Sequence, residues 1–166
     1  MLKEVHVRYF LPASTLLVLL LLAVQVAGSE ETPIGTGLEA SDALDVRVDV
    51  NVRGPAAERI GLALDRVQTK VELKLRLAGL RPTYEYEGDG TLFIDVGVMD
   101  SGFGVSLEYW RVVYYYLQDG RAFRTSAIAW SDGGTGSHVD DPEFILQKLD
   151  EHMDEFVNDY LAANEH

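Results

Sequence analysis

FGVSLEYWRVVYYYLQDGRAFRTSAIAW, residues 103–130, is the stretch on which the fold turns. Two runs rich in aromatic and β-branched residues flank Asp119-Gly120, and such a dipeptide between alternating apolar residues is the strongest short-range signal for a β-hairpin. The first run reads as a strand from Phe103 to Leu117, entered through a turn at Asp100, Ser101 and Gly102. A two-residue loop sets Gln118 opposite Arg121. On that register Trp110 faces Ala129, Val112 faces Ala127, Tyr114 faces Thr125 and Tyr116 faces Phe123, all on one side. The other side pairs Tyr109 with Trp130, Arg111 with Ile128, Val113 with Ser126 and Tyr115 with Arg124. Phe103, Val105 and Leu107 share the face of Tyr109, so that face is expected against the core. Trp110, Tyr114, Tyr116 and Phe123 then stand on the outer face, an unusual amount of aromatic surface unless something covers it. The alternative is the inverted assignment, with Trp110, Tyr114, Tyr116 and Phe123 as core residues.

Upstream, LDVRVDVNV (44–52) alternates strictly, with Leu44, Val46, Val48, Val50 and Val52 on one face and Asp45, Arg47, Asp49 and Asn51 on the other. This is the pattern of a strand with one buried side. Gly54 and Pro55 end it, and a loop is expected to follow. In RVQTKVELKLRLAGL (66–80) Val67, Val71, Leu75 and Ala78 recur every three or four residues, and Leu64, Leu73 and Leu77 widen the stripe. Gly79 stands where a left-handed residue closes a helix, Leu80 is placed to fold back as its apolar partner, and Pro82 forbids continuation. TLFIDVGVM (91–99) alternates again, with Leu92, Ile94, Val96 and Val98 inward.

Downstream, SDGGTGSH (131–138) reads as a glycine-rich loop. Asp141 as N-cap, Pro142 at the first helical position and Glu143 in the first turn announce a second helix. Its apolar stripe is Ile145, Leu149, Met153, Phe156, Val157, Tyr160 and Leu161. The fold class expected is therefore α+β: a two-layer sandwich of order βαβββα, with two helices packed on one face of a four-stranded mixed sheet.

The chain's beginning differs in kind. TLLVLLLLAV (15–24) follows a short region carrying Lys3, His6 and Arg8, the pattern of an export signal. Val26, Ala27 and Gly28 supply small residues before Ser29, so residues 1–28 read as a signal peptide cleaved after Gly28. The competing reading is an uncleaved inner-membrane anchor over residues 9–28, since about 20 mostly apolar residues suffice to cross the hydrocarbon core. Either places the remainder outside the cytosol. SEETPIGTGLEASDA (29–43) mixes acidic, small and turn-forming residues and reads as a flexible linker, with the sandwich domain expected over residues 44–166. The sequence has no cysteine, which removes a disulfide framework, thiol-ligated metal and a lipoprotein attachment site together. Export without disulfides points to a bacterial periplasm. The net charge of −13 at pH 7 repels phosphate backbones and anionic lipid headgroups, so nucleic acid is not an expected partner.

Chemistry-bearing patterns are sparse. GGTGSH lacks the lysine and spacing of a phosphate loop, and no G-x-S-x-G elbow occurs. His138 with Asp140 and Asp141 forms a candidate ligand-binding group, set against a solvated loop. His152 reads as a boundary residue of the second helix. Asp45, Asp49 and Asp95 converge on one face if their strands are adjacent, although Arg47 lies between the first two. No metal site, cofactor or catalytic residue is assigned.

The combination of RVQTKVELKLRLAGL, VSLEYWRVVY, AIAW and FVNDYLAAN resembles a family of small exported bacterial α/β proteins, over about Leu62 to Asn164. The expected element order also looks like the N-terminal domain of TolB and the related domains of the CsgG secretion protein and the LpoB activator of peptidoglycan synthases. The resemblance implies a shared fold, a place in the cell envelope and a role in protein contacts, and it supplies no catalytic residue. A non-enzymatic envelope module that binds another protein through Trp110, Tyr114, Tyr116 and Phe123 is the expectation. The alternative is a small-molecule or cation binder using residues 131–138 and nearby carboxylates.

Overall fold

The computed structural model describes residues 37–40, 44–84, 90–137 and 140–164. The expected export segment lies outside them, as does most of the expected linker. Among the described residues the elements are β1 (Asp45–Arg53), α1 (Pro55–Arg59), α2 (Leu64–Leu77), β2 (Arg81–Thr83), β3 (Gly90–Met99), β4 (Gly102–Tyr116), β5 (Ala122–Ser137) and α3 (Pro142–Asn164). The strands form one mixed sheet in the order β2-β1-β3-β4-β5. β2 and β3 run parallel to β1, while β3–β4 and β4–β5 are antiparallel.

The α+β class holds, but five strands and three helices replace the four and two expected. β2 is three residues long with Pro82 at its centre. Proline has no N–H to give a ladder and is tolerated at a sheet edge, where β2 sits; three residues also show no alternation. α1 occupies the stretch read as a loop. It is a short helix that starts on Pro55 and buries Ala56 and Ala57, too brief for a helical period to appear in sequence.

One face of the sheet carries the core. Val46, Val48, Leu92, Ile94, Val96 and Val98 are buried as the alternation required, and so are Val105, Leu107 and Tyr109 of β4. α2 meets them through Val67, Val71 and Leu75, each 0% exposed. Leu64, Leu73 and Leu77, expected to widen that stripe, are exposed. At 100° per residue Leu73 and Leu77 lie more than a quarter turn from Val71, and Leu64 is the first residue of the helix. Beside the buried stripe α2 is joined to α3 by charges: Lys74 Nζ lies 2.6 Å from Asp154 and 3.3 Å from Asp150, and Lys70 Nζ lies 3.3 Å from Asp150. Burial pulls the Lys74 pKa down, yet its hydrogen bonds to Asp154 and Asp150 outweigh this and hold it above its ordinary value. That contribution is present at neutral pH and is lost only as pH climbs through the raised value.

α2 ends as expected. Gly79 has φ of 83°, its N–H donates to Arg76 O at 3.0 Å, and the Leu80 N–H donates to Leu75 O at 2.9 Å, with Leu80 folded into the core. At the start of α3, Asp141 Oδ1 accepts the Glu143 N–H at 2.9 Å, the expected cap. α3 buries Ile145, Leu146, Leu149, Met153, Phe156, Val157 and Tyr160. Leu161 is only half-buried.

The β4–β5 hairpin corrects the expected register. Leu117 pairs with Arg121 through its N–H (2.9 Å), and the Gly120 N–H donates to Leu117 O (2.9 Å) with Gly120 at φ 82°. The loop is therefore Gln118, Asp119 and Gly120, a turn closed by a left-handed glycine, which a two-residue loop at Asp119-Gly120 mimics in sequence. Tyr116 faces Ala122, Tyr115 faces Phe123 and Tyr114 faces Arg124. A bulge between Tyr109 and Trp110 absorbs Ala129, after which Tyr109 faces Trp130 as expected. The one-residue difference moves Phe123 to the opposite face from Tyr114 and Tyr116.

Residues 131–137, read as a loop, continue β5 against Gly102–Glu108. Their glycines mark close approach: a Cβ on Gly136 would collide with the Phe103 ring, and one on Gly134 would sit 3.2 Å from His152 Nε2.

Part of the segment read as a linker is built into the core. Leu38 is 2% exposed. Asn164, in the last turn of α3, donates from Nδ2 to Leu38 O (3.0 Å) and accepts the Ala40 N–H on Oδ1 (2.9 Å), while Arg111 Nη1 donates to Gly37 O (3.2 Å). Leu38→Ala is therefore expected to lower the unfolding free energy by about 2–5 kcal/mol, the range for a buried leucine. Urea denaturation measures it, and a change close to zero would mean that the segment is not part of the folded body.

Candidate functional site

Alternation sends every second side chain of the sheet away from the helices, and strand order decides which of them meet. Asp49 of β1 lies across from Phe93 of β3, and Phe93 lies across from Glu108 of β4. In the next row Arg47, Thr91, Trp110 and Ile128 stand side by side. Beyond them Val112 faces Ser126 and Tyr114 faces Arg124. All three helices pack into the single cluster on the other side, so this face is left to solvent among the described residues.

The rows enclose a groove of ≈ 560 Å³, lined by Arg47, Asp49, Gly90, Thr91, Phe93, Glu108, Trp110, Arg111, Val112, Arg124 and Ser126. Phe93 and Trp110 meet edge to face, with ring centroids 6.2 Å apart and planes at 83°. Trp110 Nε1 donates to Glu108 Oε2 at 2.8 Å, which satisfies the indole N–H and fixes the ring. The groove thus offers a rigid aromatic floor between guanidinium and carboxylate groups of both signs. Nothing in that set is a nucleophile with a base beside it; its chemistry is that of contact.

The expected partner-binding residues divide. Trp110 lies in the groove. Tyr114 and Tyr116 share its face but stand further out on the hairpin, 61% and 75% exposed. Phe123 is on the reverse face, stacked on Tyr115 at 5.4 Å and 14°, with the Arg121 guanidinium 5.8 Å from its ring centroid. The four do not form one surface, because the register of β5 differs by one residue from the expected one.

Of the expected ligand group, His138 lies outside the described residues, Asp140 is exposed, and Asp141 is occupied in capping α3. Asp45, Asp49 and Asp95 do share a face, but Asp95 binds Arg53 at 2.6 Å and Asn51 at 2.8 Å, and Asp45 binds Arg81 at 2.6 Å. Among the described residues no group of three histidine or acidic side chains could hold a metal ion.

Sequence reasoning missed Phe93, Glu108, Arg47 and Arg124 as neighbours of Trp110. Their outward direction is readable from alternation; their meeting requires the order β1-β3-β4-β5, which no local pattern encodes. A second feature was also missed. His152 Nδ1 lies 2.7 Å from Asp132 Oδ2, tying α3 to β5. These two residues line a cleft together with Trp130, Ser131, Glu151, Glu155 and Asp159, and Trp130 Nε1 donates to Asp159 Oδ2 at 2.8 Å.

No helix among the described residues is long and apolar enough to cross a membrane. Comparison with known protein families and with curated proteins gives no match to this chain.

The adjacent pair Tyr109 and Trp110 separates core from groove. Tyr109→Ala is expected to cost about 3–5 kcal/mol of stability, as for other large buried aromatics. Trp110→Ala should cost about 1 kcal/mol or less, as at a site outside the core. Denaturant titration of the two variants measures the difference, and equal losses would show that the faces are assigned wrongly.

Proposed function

We propose that the chain is a non-enzymatic binding module that docks a segment of another exported protein on the helix-free face of its sheet. The carrying observation is the groove in which Phe93 and Trp110 form a fixed aromatic floor between Arg47 and Arg124 on one hand and Asp49 and Glu108 on the other. Large rings of low conformational freedom, ringed by polar groups, suit the centre of a protein contact. Charges of both signs favour a segment that presents an apolar side chain with an acid on one flank and a base on the other, and they reject a uniformly anionic partner. The apolar residues before Ser29, read as a signal or anchor, and the resemblance to exported envelope domains support a place for this module in the bacterial periplasm.

A small molecule is the second reading, favoured by the groove's volume, which lies within the range of ligand sites. The former loop at residues 131–138 no longer supports it, since 131–137 form a strand.

The test is cross-linking capture from the native envelope with full-length wild type, Trp110→Ala/Arg124→Glu, and Leu77→Ser as a control on the exposed side of α2. The double variant is expected to melt within a few degrees of wild type and to lose a partner that wild type and control retain. Identical capture by all three removes the docking face. A thermal shift with millimolar nucleotides or aromatic acids, abolished in the double variant, would favour the small-molecule reading instead.

A further inference from the structure

The two edges of the sheet are guarded unequally. β2 covers Asp45–Arg47 at one edge with three residues and a proline, and beyond it the edge steps back to Val48–Arg53 of β1, so neither piece offers a long ladder for another strand to join. β5 closes the other with sixteen residues that contain neither lysine nor proline, and among the described residues nothing pairs with its outer side. The bulge at Ala129 is its one interruption.

β5 is also electrically two-ended. The pairing of β3 with β4 stops at Gly90 and Arg111, so residues 112–126 project as a two-stranded arm. Both faces of the arm carry exposed rings: Tyr114 and Tyr116 on one, Tyr115 and Phe123 on the other. Its charged residues are Asp119, Arg121 and Arg124: Arg121 Nε holds Asp119 Oδ2 at 2.7 Å at the exposed tip, and Arg124 stands on the groove face, which leaves the arm one positive charge in excess in a chain of net charge −13. The far end of β5 lies under α3, where the cleft presents Asp132, Glu151, Glu155 and Asp159 around His152, with no lysine or arginine in its lining.

We propose that two copies of this chain pair antiparallel along β5, about a two-fold axis near Ile128. That arrangement sets residues 121–124 of each copy beside residues 132–136 of the other, so the basic arm meets the acidic cleft twice by symmetry. Arg121 and Phe123 stand on the helix side of the sheet, where the cleft also opens; Gly134 and Gly136 are covered there by His152 and Phe103 of their own chain, so Phe123 would meet the outside of those side chains. The contact is isologous and closes at two copies. Edge pairing satisfies the open backbone groups of β5, and the paired arms bury rings on both faces, whereas an isolated two-stranded ribbon is marginal in water. A lipid surface fits less well, because the arm's tip, Gln118 to Arg121, is polar and would be its deepest part. Pairing uses the open edge of β5, whereas docking uses the sheet face; the two adjoin at Arg124 and Ile128, and the combination of Arg121→Glu with Glu155→Arg, which leaves the groove lining intact, separates them.

The absence of cysteine makes the test direct. The full chain, purified in neutral detergent, should sediment with twice the protein mass of 18.4 kDa. Ile128→Cys should form a disulfide-linked dimer under mild oxidation, and Leu77→Cys, exposed on α2, should not. Arg121→Glu should weaken association by roughly 100-fold, and Glu155→Arg on the same chain should restore much of it by reversing the opposed charge. Raising salt to about 1 M should weaken the wild-type dimer. A monomer at tens of micromolar overturns the proposal. So does a dimer that Ile128→Cys fails to cross-link, since its contact then lies elsewhere, including in the segment before residue 37.

Discussion

Tyr109 is the side chain on which the two layers are registered. It is 1% exposed, with its ring centroid 5.7 Å from both Phe156 and Tyr160, and Trp130 rests on Phe156 at 5.3 Å. Four rings from β4, β5 and α3 thus interlock at one point. Because strand side chains alternate, fixing Tyr109 inward fixes the direction of every other residue of β4. Leu107, Val105 and Phe103 follow it into the core, while Trp110 and Glu108 are turned to the open face. The groove is a by-product of that parity: its aromatic floor exists because the next residue along is locked the other way.

The bulge at Ala129 lets a single long strand meet two demands. On the core side of the bulge, Trp130 must stack in the ring cluster and the glycines must lie close beneath Phe103 and α3. On the arm side, the three-residue loop sets a register one step different. Without an extra residue between them, one of these registers would turn its side chains to the wrong face. The bulge also carries Phe123 onto Tyr115, so the arm has rings on both sides in place of one aromatic face.

Alternation in 44–52, 91–99 and 103–109 made the three central strands and their buried faces legible, and Gly79-Leu80 and Asp141-Pro142 marked helix ends through chemistry that acts within a few residues. What escaped was set by distant contacts. Asp119-Gly120 suits both a two-residue turn and the last two positions of a three-residue one, so the register depended on the ladder beyond it. The glycines of 131–137 signal a turn locally, yet their reason is the Phe103 ring and a helix some twenty residues away. Leu38 sits in an acidic, small-residue stretch with no period of its own, and its burial goes with hydrogen bonds from Asn164 to Leu38 O and from Arg111 to Gly37 O, which span 126 and 74 residues. The groove was half readable: Trp110 was expected to face outward, but its companions on β1 and β3 depended on strand order.

The clamp around Leu38 has a mechanical side. Tension arriving from the N-terminal direction reaches Gly37–Ala40 before it reaches β1, and there it is shared between the end of α3, through Asn164, and the base of the hairpin, through Arg111. A pull must draw a leucine out of the apolar interior before any strand is loaded. The stretch therefore couples the way into β1 to both layers at once, to the end of the helix and to the base of the hairpin.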